Sequence, residues 1–153
     1  MRVFAAIVTT FALLTSIAGA HCQIPCGIYD DKARITEMEE HVTTIEKSMT
    51  EIAKIPADSP QNINQLVRWV NNKDEHADKL TEIVTYYFLT QRIKATEPAE
   101  KYTAELKLLH SMMVASMKSK QTVDLQYVQE LRSLIHEFEH VYFGETAGMP
   151  HAH

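Results

Sequence analysis

Glycine and proline are scarce in this chain of 153 residues, which holds four of the first and five of the second. They stand at Gly19, Gly27, Gly144 and Gly148, and at Pro25, Pro56, Pro60, Pro98 and Pro150. The intervals 28–55, 61–97 and 99–143 contain neither residue, and such stretches favour long helices. No stretch alternates polar and apolar residues between hairpin signals, which excludes a strand-and-turn architecture. Basic charge is also short: 15 Lys and Arg stand against 20 Asp and Glu, a formal net charge of −5. A nucleic-acid partner would need a basic stripe, so that class is excluded. An anionic substrate gains no long-range attraction from this surface and must be drawn in locally. Beyond residue 17 no apolar run is long enough to cross a bilayer. Cysteine occurs twice, at Cys22 and Cys26.

What is present begins with an export signal. Arg2 supplies the positive end, residues 3–17 are mostly apolar, and Ala18-Gly19-Ala20 is a small-x-small cleavage pattern. The apolar stretch is short and interrupted by Thr9, Thr10, Thr15 and Ser16, which suits a leader better than an anchor. Cleavage after Ala20 takes 20 residues from 153 and leaves 133, the size of one domain. Loss of Arg2 moves the net charge from −5 to −6. The expected organisation is a signal peptide at 1–20, a metal-binding hook at 21–30, a helical bundle at 31–146 and a flexible His-containing tail at 147–153. The mature chain is expected to be exported, to a periplasm or the extracellular space, with no membrane association once the leader is gone.

Hydrophobic periodicity predicts four amphipathic helices. The first, over 31–55, carries Ile35, Met38, Val42, Ile45, Met49 and Ile52. The second, over 61–94, carries Ile63, Leu66, Val70, Ala77, Leu80, Val84 and Tyr87. The third starts near Glu97-Pro98, a proline suited to a first turn, and carries Tyr102, Leu106, Leu109 and Met113. The fourth, over 122–143, carries Val128, Leu131, Ile135, Phe138 and Tyr142. The connections 56–60, 95–96 and 119–121 are short, which makes consecutive helices antiparallel neighbours. The expected fold is all-α, an up-down-up-down four-helix bundle with an N-terminal metal-binding hook.

The hook reads His21-Cys22-Gln23-Ile24-Pro25-Cys26-Gly27-Ile28-Tyr29. One reading is a disulfide, since two cysteines in an exported chain commonly pair. Such a bond closes a very short loop and removes little chain entropy. The other reading is a metal site. Once His21 is the N-terminus, its free amine, the Cys22 amide nitrogen and the Cys22 and Cys26 thiolates form a square of two nitrogens and two sulfurs. That set suits Ni(II) or Cu(II), with the His21 imidazole able to reach an axial position. Zinc prefers four tetrahedral side-chain ligands, which this segment does not supply alone. Anionic amide and thiolate donors also stabilise a higher oxidation state, bringing a Ni(III)/Ni(II) couple into a usable range.

The run His-Cys-x-x-Pro-Cys-Gly-x-Tyr at a mature N-terminus resembles the nickel superoxide dismutase family, through His21, Cys22, Pro25, Cys26, Gly27 and Tyr29. The stretch from Arg68-Trp69-Val70 to His76-Ala77 is similar to the second-helix region of some members. The resemblance implies a four-helix bundle with one nickel ion per subunit. It implies ligation by the amine and imidazole of His21, the amide and thiolate of Cys22 and the thiolate of Cys26. It further implies a cis bond before Pro25, and a Tyr29 hydroxyl that guards the open face and orders substrate. The implied reaction converts superoxide to dioxygen and hydrogen peroxide, and the implied assembly is a homohexamer. Gln23 stands where many members carry Asp. Glu37 or Thr36, and His76 in place of an arginine of some members, are the candidates for supporting the axial imidazole.

A competing motif lies in the fourth helix, where His136-Glu137-Phe138-Glu139-His140 satisfies H-E-x-x-H, the zinc-protease pattern. The extended spacing fails, because Phe143 stands in place of the glycine and Thr146 in place of the third histidine. A solvated or subunit-facing pair is the plainer reading. His151 and His153 form a short His-rich tail. His41 and His110 are expected in structural roles, and Met38, Met49, Met112, Met113 and Met117 in core packing. The alternative to catalysis is an exported bundle that binds nickel or copper without turnover.

Overall fold

The computed structural model describes residues 27–144. The expected leader, the expected donors His21, Cys22 and Cys26, and the expected tail lie outside the described residues. Helix α1 spans Asp31–Lys54 and α2 spans Pro60–Glu82. The second helix continues as a wide-pitched π-helical segment, Ile83–Arg92. Helix α3 spans Ala99–Gln121 and α4 spans Gln126–Phe143.

Local chemistry sets the starts. The Asp30 carboxylate accepts the Ala33 N–H at 3.0 Å, capping α1. Ser59 Oγ accepts the Asn62 N–H at 3.3 Å, and Pro60 follows as the first helical residue. Helix α1 packs on α2 and α4, and α3 packs on the same two, closing a ring of four. Cross-helix bonds fix the directions. Asp31 at the start of α1 meets Arg92 at the end of the π segment and Tyr142 near the end of α4. Lys73 in α2 meets the last turn of α3. The result is the up-down-up-down four-helix bundle the periodicity predicts.

The expected apolar stripes of α1 and α4 are core: Ile35, Met38, Val42, Ile45, Met49, Val128, Leu131, Ile135 and Phe138 are buried. Ile52 and Tyr142 are half-buried. Phe88 meets Phe138 edge-on at 4.9 Å and Tyr142 at 5.6 Å. Burying each phenylalanine contributes about 2 kcal/mol.

Other expectations require correction. In α2, Ala77, Leu80, Val84 and Tyr87 are buried, but Ile63 and Val70 are 49% and 38% exposed and Leu66 is only half-buried. The burial of α2 begins at Lys73, whose ammonium meets the end of α3; the preceding three turns overhang that helix. Val67, 52% exposed, joins Ile63 and Val70 in an apolar row there. The face of α3 is rotated from the expected one. Its core residues are Glu105, Leu108, Leu109, Met112, Ala115, Ser116 and Ser119, while Tyr102, Leu106 and Met113 flank them. Burial of the serines is made possible by bonds the apolar pattern cannot register: Ser116 Oγ donates to Ala77 O at 2.8 Å, and Ser119 Oγ to Ser116 O at 2.7 Å. Met117 is 51% exposed, so only Met38, Met49 and Met112 of the five methionines lie fully in the core. The third connection falls at 122–125, not 119–121, because the Lys73 ammonium caps the Ser119 and Lys120 carbonyls and holds the last turn of α3 together.

Candidate functional site

The chain enters the bundle at the end where α1 begins, the π segment closes and α4 finishes. Gly27 has φ +74°, in the left-handed region that favours glycine, so the segment turns sharply just before Tyr29. The Tyr29 ring lies over the Arg92 guanidinium, 4.3 Å from its carbon, and meets Tyr87 edge-on at 5.9 Å. A cation under an aromatic face is attracted by the ring quadrupole. Tyr29 itself is 39% exposed, so its ring rests on this platform with one side open.

Asp31 holds the platform. Its Oδ1 accepts Tyr87 Oη–H at 2.6 Å and Arg92 Nε–H at 2.9 Å. Its Oδ2 accepts Arg92 Nη2–H at 2.7 Å and Tyr142 Oη–H at 2.9 Å. Burial works against the charged carboxylate, but the hydrogen bonds from Arg92, Tyr87 and Tyr142 outweigh it and hold the Asp31 carboxyl below its ordinary range. Burial and the bond to Asp31 push the Tyr142 phenol up to about 12 and raise Tyr87 further. Both phenols therefore remain proton donors at neutral pH.

The π segment makes this arrangement possible. Tyr87 and Arg92 are five residues apart, and in an α-helix they would point about 140° from each other. Hydrogen bonding to the fifth residue back brings such positions to one face. The wide pitch is visible where the Ile93 N–H donates to Phe88 O at 2.9 Å. Thr90 Oγ1 donates to Thr85 O at 2.7 Å, and Gln91 Nε2 to Tyr86 O at 2.8 Å, each spanning five residues. Sequence reasoning singled out Tyr29, Tyr87 and Tyr142 but missed Asp31 and Arg92 as their organisers. The only signal was an arginine four residues beyond the aromatic run 86–88.

Other candidates separate. Glu37 pairs with Arg34 on α1, and Thr36 is exposed. His76 instead meets His41, Nδ1 to Nδ1 at 3.1 Å. His110, His136 and His140 are exposed. A groove of about 580 Å³ between α3 and α4 is lined by Thr103, Ala104, Leu108, Ser111 and Glu137, but by neither histidine of the H-E-x-x-H run. Among the described residues, no three His, Cys, Asp or Glu side chains gather to hold a metal ion.

An all-α bundle of four antiparallel helices, with a braced aromatic cluster at the end where α1 begins, defines the class as a four-helix-bundle protein. The sequence matches the family profile of nickel-containing superoxide dismutase over residues 16–146. The chain belongs to that family; it is a nickel-type superoxide dismutase, with nickel as its metal and superoxide as its substrate. No individual curated protein and no solved structure is matched.

Proposed function

We propose that the chain is exported, cleaved after Ala20, and holds one nickel ion per subunit in the hook that begins at His21. The ligands are the His21 amine and imidazole, the Cys22 amide and thiolate, and the Cys26 thiolate. The donor set fits the group: two thiolates and two nitrogens suit a square-planar divalent ion that must also reach a higher valence. Nickel held there would supply a one-electron Ni(III)/Ni(II) couple for the disproportionation of two superoxide ions and two protons to dioxygen and hydrogen peroxide.

The chain's own residues do the rest. Tyr29, braced by Arg92 and Tyr87, orders substrate or water with its hydroxyl and excludes larger reductants. Backbone N–H groups of the hook attract the anion locally, against the acidic surface. The bundle anchors the hook and takes no part in electron transfer. The assembly is a homohexamer in this reading; the exposed row Ile63, Val67 and Val70 supports association between subunits, because an apolar helix face favours burial against another chain.

The observation that carries this reading is the family match, which begins at residue 16 and so includes the whole His-Cys-x-x-Pro-Cys-Gly-x-Tyr run. The test is a variant secreted with one extra residue before His21, its N-terminus established by intact mass. Helical content is expected to be unchanged, while nickel retention and dismutase activity are lost. Full activity with the extension in place would overturn the role of the amine.

A further inference from the structure

His41 in α1 and His76 in α2 face each other across the bundle surface. Their Nδ1 atoms are 3.1 Å apart, and their rings are nearly perpendicular at 78°, with centroids 5.0 Å apart. Two imidazole nitrogens bound to one ion at about 2.05 Å lie about 2.9 Å apart at a right angle and about 3.4 Å apart at the tetrahedral angle. The pair already has the spacing of a chelate. Both rings are half-exposed, so an ion and its remaining water ligands can reach them.

We propose that His41 and His76 form a second metal site, a two-imidazole clamp between α1 and α2 that takes a late first-row divalent cation such as Cu(II) or Zn(II). It lies about 15 Å along α1 from Asp31, away from the Tyr29 platform. Solvent completes the coordination. Burial lowers the proton affinity of both rings, and each ring also feels a nearby positive group: His76 acting on His41, and Lys79 acting on both. Neutral imidazole is the form that binds metal. Glu37 and Glu40 beside His41, and Glu75 beside His76, supply negative charge, which Lys79 partly offsets. Lys79 is itself paired with Glu75 at 2.6 Å. A bound ion would tie α1 to α2 and stabilise the folded state, because the unfolded chain cannot offer the two nitrogens at this spacing.

The test uses the full nickel-loaded chain with the other accessible histidines replaced (His110→Ala, His136→Ala, His140→Ala, His151→Ala, His153→Ala). Zinc chloride is titrated in by calorimetry, with melting followed in parallel. One Zn(II) per chain is expected, with a rise in Tm. His41→Gln or His76→Gln is expected to weaken binding at least tenfold and to abolish the zinc-dependent rise, each nickel-loaded variant being compared with its own melt before zinc addition. Ring-nitrogen NMR of the intact pair is expected to show both Nδ1 resonances moving together on zinc addition. Equal uptake by the Gln variants, no uptake at all, or unmoved Nδ1 resonances would each overturn the site and leave the pair a hydrogen bond between helices. Nickel content is measured before and after the titration, because an emptied hook would itself take up zinc through its thiolates; with nickel retained, failure here is distinct from failure of the hook.

Discussion

Replacing Asp31 by asparagine keeps the shape of the side chain and removes its charge. The carboxylate accepts four hydrogen bonds, two from Arg92 at 2.7 and 2.9 Å and one each from Tyr87 at 2.6 Å and Tyr142 at 2.9 Å. The asparagine oxygen can accept two bonds, and its NH₂ group then points donor against donor. Arg92 keeps 28% of its side-chain exposure, so water recovers part of its loss. Tyr87 is only 4% exposed and recovers little. Losing one partly screened charge pair and orphaning a buried hydroxyl costs about 3 kcal/mol. For a domain of this size that lowers Tm by about 12 °C. Circular dichroism melts of wild type and Asp31→Asn at pH 7 measure the difference. The pH dependence follows from the direction of the shift. Asp31 titrates in the folded protein below its ordinary 3.8. Its contribution is therefore complete above that value and is lost as pH falls through the lower folded one. The gap between the two proteins should narrow in strong acid. A variant melting within two degrees of wild type at pH 7, or a gap undiminished at the lowest pH where both still fold, would refute the reasoning.

Glu105 is 1% exposed, and neither carboxylate oxygen has a hydrogen-bond partner. Burial raises its pKa, with Lys101 opposing at 3.6 Å, so wild type loses stability as pH climbs above the ordinary 4.5. Glu105→Gln is expected to melt higher than wild type at pH 7, by about 1–2 kcal/mol, and to converge with it below pH 4; a lower melt at neutral pH would contradict this. Lys73→Met removes the ammonium that caps Ser119 O at 2.8 Å and is expected to cost about 2 kcal/mol and speed amide exchange in the last turn of α3. Unchanged exchange there would show that the cap is dispensable. Val67→Asp, on the exposed row of α2, is expected to shift the protein toward monomer in light scattering while the bundle remains folded.

The bundle was legible because its elements obey local rules. Asp30 and Ser59 are good caps, Pro60 is a good first residue, and the apolar positions of α1 and α4 recur at helical spacing. The reading failed where burial depended on partners rather than hydrophobicity. Ser116 and Ser119 lie in the core because Ala77 O and Ser116 O accept their protons, and Lys73 is 2% exposed because the end of α3 surrounds its ammonium. Ile63 and Val70 satisfy the apolar pattern of α2 yet are exposed, because α3 stops before reaching them. A one-dimensional pattern records which face is apolar and not where the facing helix ends.

The site divides the same way. The expected donor set of the hook rests on chemistry alone, since amine, amide and thiolates from three residues make a ligand field without reference to a fold, and it lies outside the described residues. The platform cannot, because it depends on a change of pitch. With α-helical pitch through residues 83–92, Tyr87 and Arg92 would diverge, Asp31 could hold only one of them, and Tyr29 would lose either its cation or its edge contact. The π segment keeps both on the face that meets the start of α1. Gly27 then turns the chain immediately before the braced ring. The position of Tyr29 at this end is thus set by four side chains: Asp31, Tyr87, Arg92 and Tyr142. None of them needs to touch the metal for its replacement to alter where Tyr29 stands.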